Sequence, residues 1–346
     1  MSGSNEVILR CEGLTKIYSE ITALDNLNLE IPRGHIFGYI GHNGAGKTTT
    51  IRILAGMLRS SSGKATIAGI DVGSGRDKIK SVVGYMPDSF GVYDQMRVWE
   101  YLDFFGAAFK MPRKQRADRI ELVMDITQST YMRDRFVDTL SHGMKQRIGI
   151  ARTLIHDPEV LLLDEPANGL DPKARVEMRQ LLRKLADNGK TLLVSSHILP
   201  ELAVICDEVG IIHQGVLKAS GPIQSVLGRI SKDRLVELKT LGSLDKAREF
   251  VGADKRCNQV DTSLVVEGIL RFRFGGDDAA LADLLDSLRG AGIRPVTFRD
   301  IPPSLEDAYL AISGISMGPS STDELAVDDQ VAAEQGGSDA PPEGKP

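Results

Sequence analysis

The chain has 346 residues, 42% of them hydrophobic and 26% charged, proportions that fit a soluble globular protein and exclude a fibrous or wholly disordered one. Its length suits a larger domain joined to a smaller one. The formal charge of −5 is concentrated in residues 316–346, where seven acids stand against Lys345, so the remaining body is near neutral and lacks the basic excess of a dedicated nucleic-acid binder.

Apolar runs such as 160–163 and 191–194 have strand length and fall far short of the ~20 residues of a membrane helix. The opening Met1-Ser2-Gly3-Ser4-Asn5-Glu6 has neither a basic patch nor an apolar core, so a cytosolic product is expected. Cys11, Cys206 and Cys257 are too widely spaced for a disulfide framework or a metal knuckle, and are expected to be buried, inert thiols.

In chain order, residues 21–31 alternate apolar and polar positions, and Gly34 leads into the buried strand 36–40. A glycine-rich loop follows, then helical spacing over 48–58, which the turn-forming Ser60-Ser61-Ser62-Gly63 is expected to stop. Residues 112–125 read as a helix, and Ser141 is placed to cap another that runs to about Ile155. Strand character resumes at 160–163 and 191–195, with a helix between them opened by Asp171-Pro172 and closed near Asn188-Gly189. Such alternation implies an α/β core with a largely parallel sheet.

Beyond Gly228 the pattern becomes strand 235–238, helix 244–251, strands 263–266 and 270–274, helix 279–289 and strand 295–298. That β-α-β-β-α-β order fits a small ferredoxin-like α+β domain. From about Gly318 the composition turns to Pro, Gly, Ser and acids, with too few apolar residues to offset ordering entropy, and a disordered acidic tail is expected over 316–346.

The chemistry is concentrated in a few segments. Gly41-His42-Asn43-Gly44-Ala45-Gly46-Lys47-Thr48, followed by Thr49, fits the phosphate-loop (Walker A) pattern and lies between a buried strand and a helix N-terminus, where that pattern acts. The glycines let backbone N–H groups curl around β- and γ-phosphates, Lys47 adds a point charge, the helix dipole favours the same anions, and Thr48 offers a hydroxyl to Mg²⁺. Asp164-Glu165 follows an apolar strand, so both carboxylates emerge at a strand end, where open α/β sheets bind ligands. Asp164 is suited to holding Mg²⁺ and Glu165 to orienting an attacking water.

Taken with these segments, the sequence resembles the ATP-binding-cassette (ABC) ATPases across residues 7–230. Leu140-Ser141-His142-Gly143-Met144-Lys145-Gln146-Arg147 resembles the family's signature motif, Gly169-Leu170-Asp171-Pro172 its D-loop, and His197 its switch histidine. Tyr18 lies where the family places an aromatic against adenine. His142 and Met144 depart from the usual Leu-Ser-Gly-Gly-Gln, and Asp88 stands where the family usually carries Gln, which leaves it the role of a shorter ligand near Mg²⁺. Phe90, Tyr93, Trp99, Tyr101, Phe104 and Phe105 lie where the family docks a membrane partner, although 99–105 also has the spacing of a core helix.

The resemblance implies a P-loop cassette with a helical subdomain, ATP and Mg²⁺ as ligands, and a composite site in which Ser141, His142, Gly143 and Met144 of one copy meet the nucleotide of another. It implies a homodimer, a separate transmembrane permease subunit, and a cytoplasmic location on the inner face of the membrane. Ile301-Pro302-Pro303-Ser304-Leu305-Glu306-Asp307-Ala308-Tyr309-Leu310 resembles the closing element of ATPase subunits from drug, antibiotic and polysaccharide exporters; on its own chemistry it is a capped helix. A transport-coupled ATPase is therefore expected over 7–230, with an accessory domain over 231–315. The alternative is a non-transport ABC ATPase in a soluble complex. A catalytically silent regulator conflicts with the presence of Lys47, Asp164, Glu165 and His197.

Overall fold

The computed structural model describes residues 6–313 apart from 90, 92–94, 229–232, 243, 262–267 and 302–303. The chain divides into two compact units, the second beginning at Asp233 and the first resuming at the C-terminal helix.

The first unit opens with a hairpin of β1 (Val7–Tyr18) and β2 (Ile21–Pro32), then β3 (Ile36–Ile40) and α1 (Lys47–Leu54). Strands β4 (Ser62–Ile67) and β5 (Ile70–Asp71) join the hairpin in an antiparallel sheet of order β2-β1-β4-β5. After α2 (Arg76–Val82) and β6 (Val83–Met86) come the helices α3 (Val98–Ala108), α4 (Arg113–Ile126) and α5 (His142–Leu154). The alternation then runs through β7 (Val160–Asp164), α6 (Pro172–Asp187), β8 (Thr191–Ser196), α7 (Leu199–Ile205), β9 (Glu208–His213), β10 (Val216–Pro222) and α8 (Ile223–Leu227).

A six-stranded central sheet has the order β10-β9-β3-β8-β7-β6, parallel except where β10 meets β9. Both of its faces are covered, which is why β3, β7 and β8 read as continuous apolar runs. Side chains along β3 part by the strand period: Phe37 and Tyr39 join the core against the antiparallel sheet, while Ile36 and Ile40 join the core beneath the helices. Helix α1 ends at Leu54, four residues short of the expected 58, because Gly56 takes φ +70° and breaks the turn. Ser62 and Gly63, expected to form a turn, instead open β4 beside β1.

The second unit is β11 (Arg234–Thr240), α9 (Leu244–Ala253), β12 (Cys257–Asp261), β13 (Ile269–Phe274), α10 (Asp278–Gly290) and β14 (Pro295–Ile301). Its sheet is antiparallel with order β12-β13-β11-β14, the arrangement a split β-α-β pair gives. Val236, Leu238, Phe272 and Phe274 alternate onto one face and pack with Ala247, Val251, Leu284 and Leu288 of the two helices. The strand expected at 263–266 falls on residues outside the described set, as does the tail over 316–346.

The last helix, α11 (Leu305–Ser313), belongs to the first unit, so the second domain ends before the expected 315. Leu305 and Ala308 are buried in the first unit's helical core, and that burial draws the helix back. Its start is capped reciprocally: Asp307 N–H donates to Ser304 Oγ at 3.1 Å and Ser304 N–H donates to Asp307 Oδ2 at 2.8 Å.

Burial pushes the Cys11 thiol up to about 12 and the Cys257 thiol up to about 11, and raises that of Cys206 as well. All three stay protonated and unreactive at neutral pH. Among the described residues, no helix is long and apolar enough to cross a membrane.

Candidate nucleotide site

The loop between β3 and α1 is shaped by steric demands of the chain itself. A Cβ on Gly41 would lie 2.7 Å from the Ile212 carbonyl, and one on Gly46 would lie 2.7 Å from the Ala23 carbonyl at φ +111°. Gly44 takes φ +81° with open space around it. Only glycine serves at such positions, and the result is a backbone turn that leads directly into the first N–H groups of α1. Inside the turn, Lys47 is 6% exposed, with Nζ donating to the Gly41 carbonyl at 2.5 Å. Behind it, Thr50 Oγ1 bonds the Gly46 carbonyl at 3.0 Å and lies 3.1 Å from the Tyr39 hydroxyl, bracing the helix on the sheet.

At the end of β7, Asp164 and Glu165 are 2% and 8% exposed. Ser195 Oγ of the neighbouring β8 donates to Asp164 Oδ1 at 2.6 Å and accepts the Glu165 N–H at 3.0 Å. Glu165 has φ 51°, a left-handed conformation that costs a non-glycine residue about 1 kcal/mol or more and recurs where geometry matters to function. Its carboxylate is held from two sides. Oε1 lies 3.3 Å from Lys47 Nζ, and Oε2 lies 2.8 Å from His197 Nδ1.

The structure therefore brings Lys47, Glu165 and His197 into one cluster beside Asp164. Thr48 and Thr49 form the first turn of α1, where helix N–H groups and hydroxyls are available to an anion and its counter-ion. Tyr18, at the tip of the β1–β2 hairpin, is 43% exposed with Lys16 Nζ 4.9 Å from its ring centroid, so the ring is not a core packing element. His42 and Asn43 are exposed at the start of the loop, while Ala45 is buried.

The second cluster lies at the start of α5. Ser141 caps that helix, accepting the Met144 N–H, and Asp171 caps α6 by accepting the Ala174 N–H at 2.8 Å. Between the two helix starts is a cavity of about 360 Å³, lined by Ser141, His142, Gly143, Met144 and Asp171 among others. A Cβ on Gly143 would meet nothing closer than 3.5 Å, so nothing in its own fold requires a glycine there. Asp88 and His142, two of the three departures from the family pattern, both bond Asn168.

Of the aromatic group, Tyr101 is buried, Trp99 and Phe105 pack against the core, and Phe104 is exposed; Phe90 and Tyr93 lie outside the described residues. Sequence reasoning missed Ser195 and Asn168. The only signal for either was a small polar residue close to an apolar strand or to the acidic pair.

Among the described residues, no three His, Cys, Asp or Glu side chains gather as a metal set. Thr48, Asp88 and Asp164 could thus hold a cation only together with phosphate oxygens and water, the usual manner of Mg²⁺. The cradle fits a nucleotide's phosphates on three grounds: its glycines leave room a Cβ would fill, its ammonium is buried, and its helix N-terminus is open.

This fold and loop define a P-loop nucleoside-triphosphatase cassette. Comparison with known proteins places it further. The ABC transporter family matches residues 24–168. The bacitracin transport ATP-binding protein BcrA of Bacillus licheniformis is 33% identical over 309 residues, covering 89% of this chain and 97% of the relative. Nod factor export ATP-binding protein I of Ralstonia nicotianae is 32% identical over 319 residues, covering 90% and 95%. Among solved structures, the dimeric post-hydrolysis state of the cassette MJ0796 bound to ADP and phosphate superposes with a TM-score of 0.57 at 25% identity, covering 62% of this chain and 98% of that one. The chain belongs to the ATP-binding proteins of ABC transporters, and resembles in particular the ATPase subunits of exporters.

Proposed function

We propose that this ABC ATPase is the motor of an exporter, coupling ATP hydrolysis to a separate membrane-spanning subunit from the cytoplasmic face. The observation that carries the reading is the cluster of buried Lys47 and Glu165 with the more exposed His197 at the strand end beside the phosphate loop. In it, loop N–H groups and Lys47 bind the β- and γ-phosphates, and Tyr18 lies against the adenine. Thr48, Asp164 and Asp88 would hold Mg²⁺ together with phosphate oxygens and water, and the ion would neutralise charge on the phosphates. Glu165 orients the attacking water and accepts its proton, giving ADP and phosphate, while His197 fixes the rotamer of that carboxylate.

The cavity at Ser141 and Gly143 supports a site completed by a second copy, whose nucleotide would face the start of α5. The relative's role in Nod factor export supports the direction of transport. The test is recovery of the chain from detergent-solubilised membranes. A multi-spanning protein that co-purifies in fixed ratio supports the reading; recovery only in soluble complexes, with no membrane protein, contradicts it.

A further inference from the structure

Hydrogen bonds from two distant segments and from its own turn converge on Asn168, which follows Glu165. Its backbone N–H donates to the Glu165 carbonyl at 3.1 Å, closing the turn that holds Glu165 at φ 51°. Its side-chain Nδ2 donates to Asp88 Oδ1 at 3.3 Å. Its own carbonyl lies 2.8 Å from His142 Nε2, at the start of α5. Since a carbonyl only accepts, Nε2 carries the proton. The imidazole is seated against Gly169, where a Cβ would come within 3.1 Å of Nε2.

We infer that Asn168 is a positioning residue of the ATP site, joining the start of α5 through His142, and Asp88 through its amide, to the turn that aims Glu165. This rests on the reading of Glu165 as the residue that orients water. Each contact at Asn168 comes from a different part of the chain, so a shift of α5 or of the segment carrying Asp88 pulls on one short, strained turn. The carboxylate, held only by Lys47 and His197, moves with it. The same junction accounts for two of the three departures from the family pattern, those at His142 and Asp88. The His142 ring reaches a carbonyl that a glycine there could not, and the shorter Asp88 finds its partner in Asn168.

The test is a double-mutant cycle on steady-state ATP hydrolysis, with nucleotide affinity and thermal melting measured on every variant. Asn168→Ala should lower kcat about tenfold, the loss of its one side-chain hydrogen bond, without weakening ATP binding at the phosphate loop. Asp88→Ala combined with Asn168→Ala should be no slower than the more impaired single variant, because the two share one bond. His142→Gln, whose amide N–H reaches about as far as the imidazole, should regain most of the turnover lost in His142→Ala. Asn168→Ser replaces Asn168→Ala in the cycle if the alanine variant does not fold.

Losses that multiply in the double variant, or a wild-type kcat in Asn168→Ala, overturn the proposal. Equal losses in His142→Gln and His142→Ala remove the arm through His142. Glu165→Gln measured in parallel keeps the two readings apart: if it turns over normally the reading of Glu165 fails, whereas multiplying losses beside an inactive Glu165→Gln remove only the role of Asn168.

Discussion

The phosphate loop and the cluster at the start of α5 are both glycine-bearing helix starts, yet they differ in what their glycines answer to. Gly41 and Gly46 are required by the chain itself, since a side chain at either would strike a backbone carbonyl 2.7 Å away. A side chain on Gly143 would meet nothing closer than 3.5 Å, and the space before it is an open cavity. Lys47 has carbonyl and carboxylate partners within the fold, whereas Ser141 is exposed and engaged only with its own helix. The loop is finished within its own chain, and the start of α5 offers the open cavity that the proposed second copy would need.

The sharpest way to break that comparison is Glu165→Gln, which removes the carboxylate proposed to take the water's proton but keeps every residue of the loop. Steady-state phosphate release should fall by about 10² or more, with ATP still bound. A variant keeping over a tenth of the wild-type rate removes Glu165 from catalysis. Lys47→Ala acts on the same half at an earlier step: it deletes a buried charge facing the phosphates and leaves Glu165 without its cation. Equilibrium binding of a labelled ATP analogue should weaken by about 2–5 kcal/mol, and unchanged affinity would take Lys47 out of the site.

Tyr18→Ala should cost less, about 1–3 kcal/mol of nucleotide affinity, because the ring offers stacking alone. An unaltered dissociation constant returns Tyr18 to an ordinary surface residue.

The smallest effect concerns the far end of α5, where His156 Nε2 bonds the Val83 carbonyl at 3.0 Å and the ring stacks on Phe109. Burial pulls the His156 imidazole down from 6.5 to about 4. The folded state thus binds fewer protons than the unfolded chain, so the stability this residue contributes is complete above pH 6.5 and is lost as pH falls toward 4. Between pH 7.5 and 5.5 that loss is about 1 kcal/mol. Urea melts of the wild type and His156→Phe should diverge by this amount over the interval, and parallel pH profiles would show that His156 is not held neutral.

The parts of this protein that depend on runs of adjacent residues were legible in the sequence. Strands β3, β7 and β8 are buried on both faces and therefore announce themselves as unbroken apolar runs, and the phosphate loop follows the first of them directly. Caps were equally plain at Ser141, Asp171 and Ser304, because capping is a contact within one turn. Hidden features depend on pairing at a distance. Strand β12, Cys257–Asp261, has little strand propensity of its own and exists through its pairing with β13. Ser195 matters because parallel pairing of β7 and β8 puts it opposite Asp164, and Asn168 because Asp88 and His142 reach it from 80 and 26 residues away. The return of α11 to the first unit was unreadable for the same cause: its capping is local, but its burial is not.

The central claim, that the chain carries two unlike halves of a site completed by a second copy, is tested most directly by sedimentation velocity on the Glu165→Gln protein. With MgATP it should shift from monomer to dimer, because trapped nucleotide adds contacts to both faces and stabilises the closed pair by mass action. The shift should reverse when nucleotide is removed, and be lost when Ser141→Arg fills the cavity while nucleotide affinity at the phosphate loop is kept. A Glu165→Gln protein that stays monomeric at saturating MgATP, together with normal ATP hydrolysis by Ser141→Arg, would contradict the account.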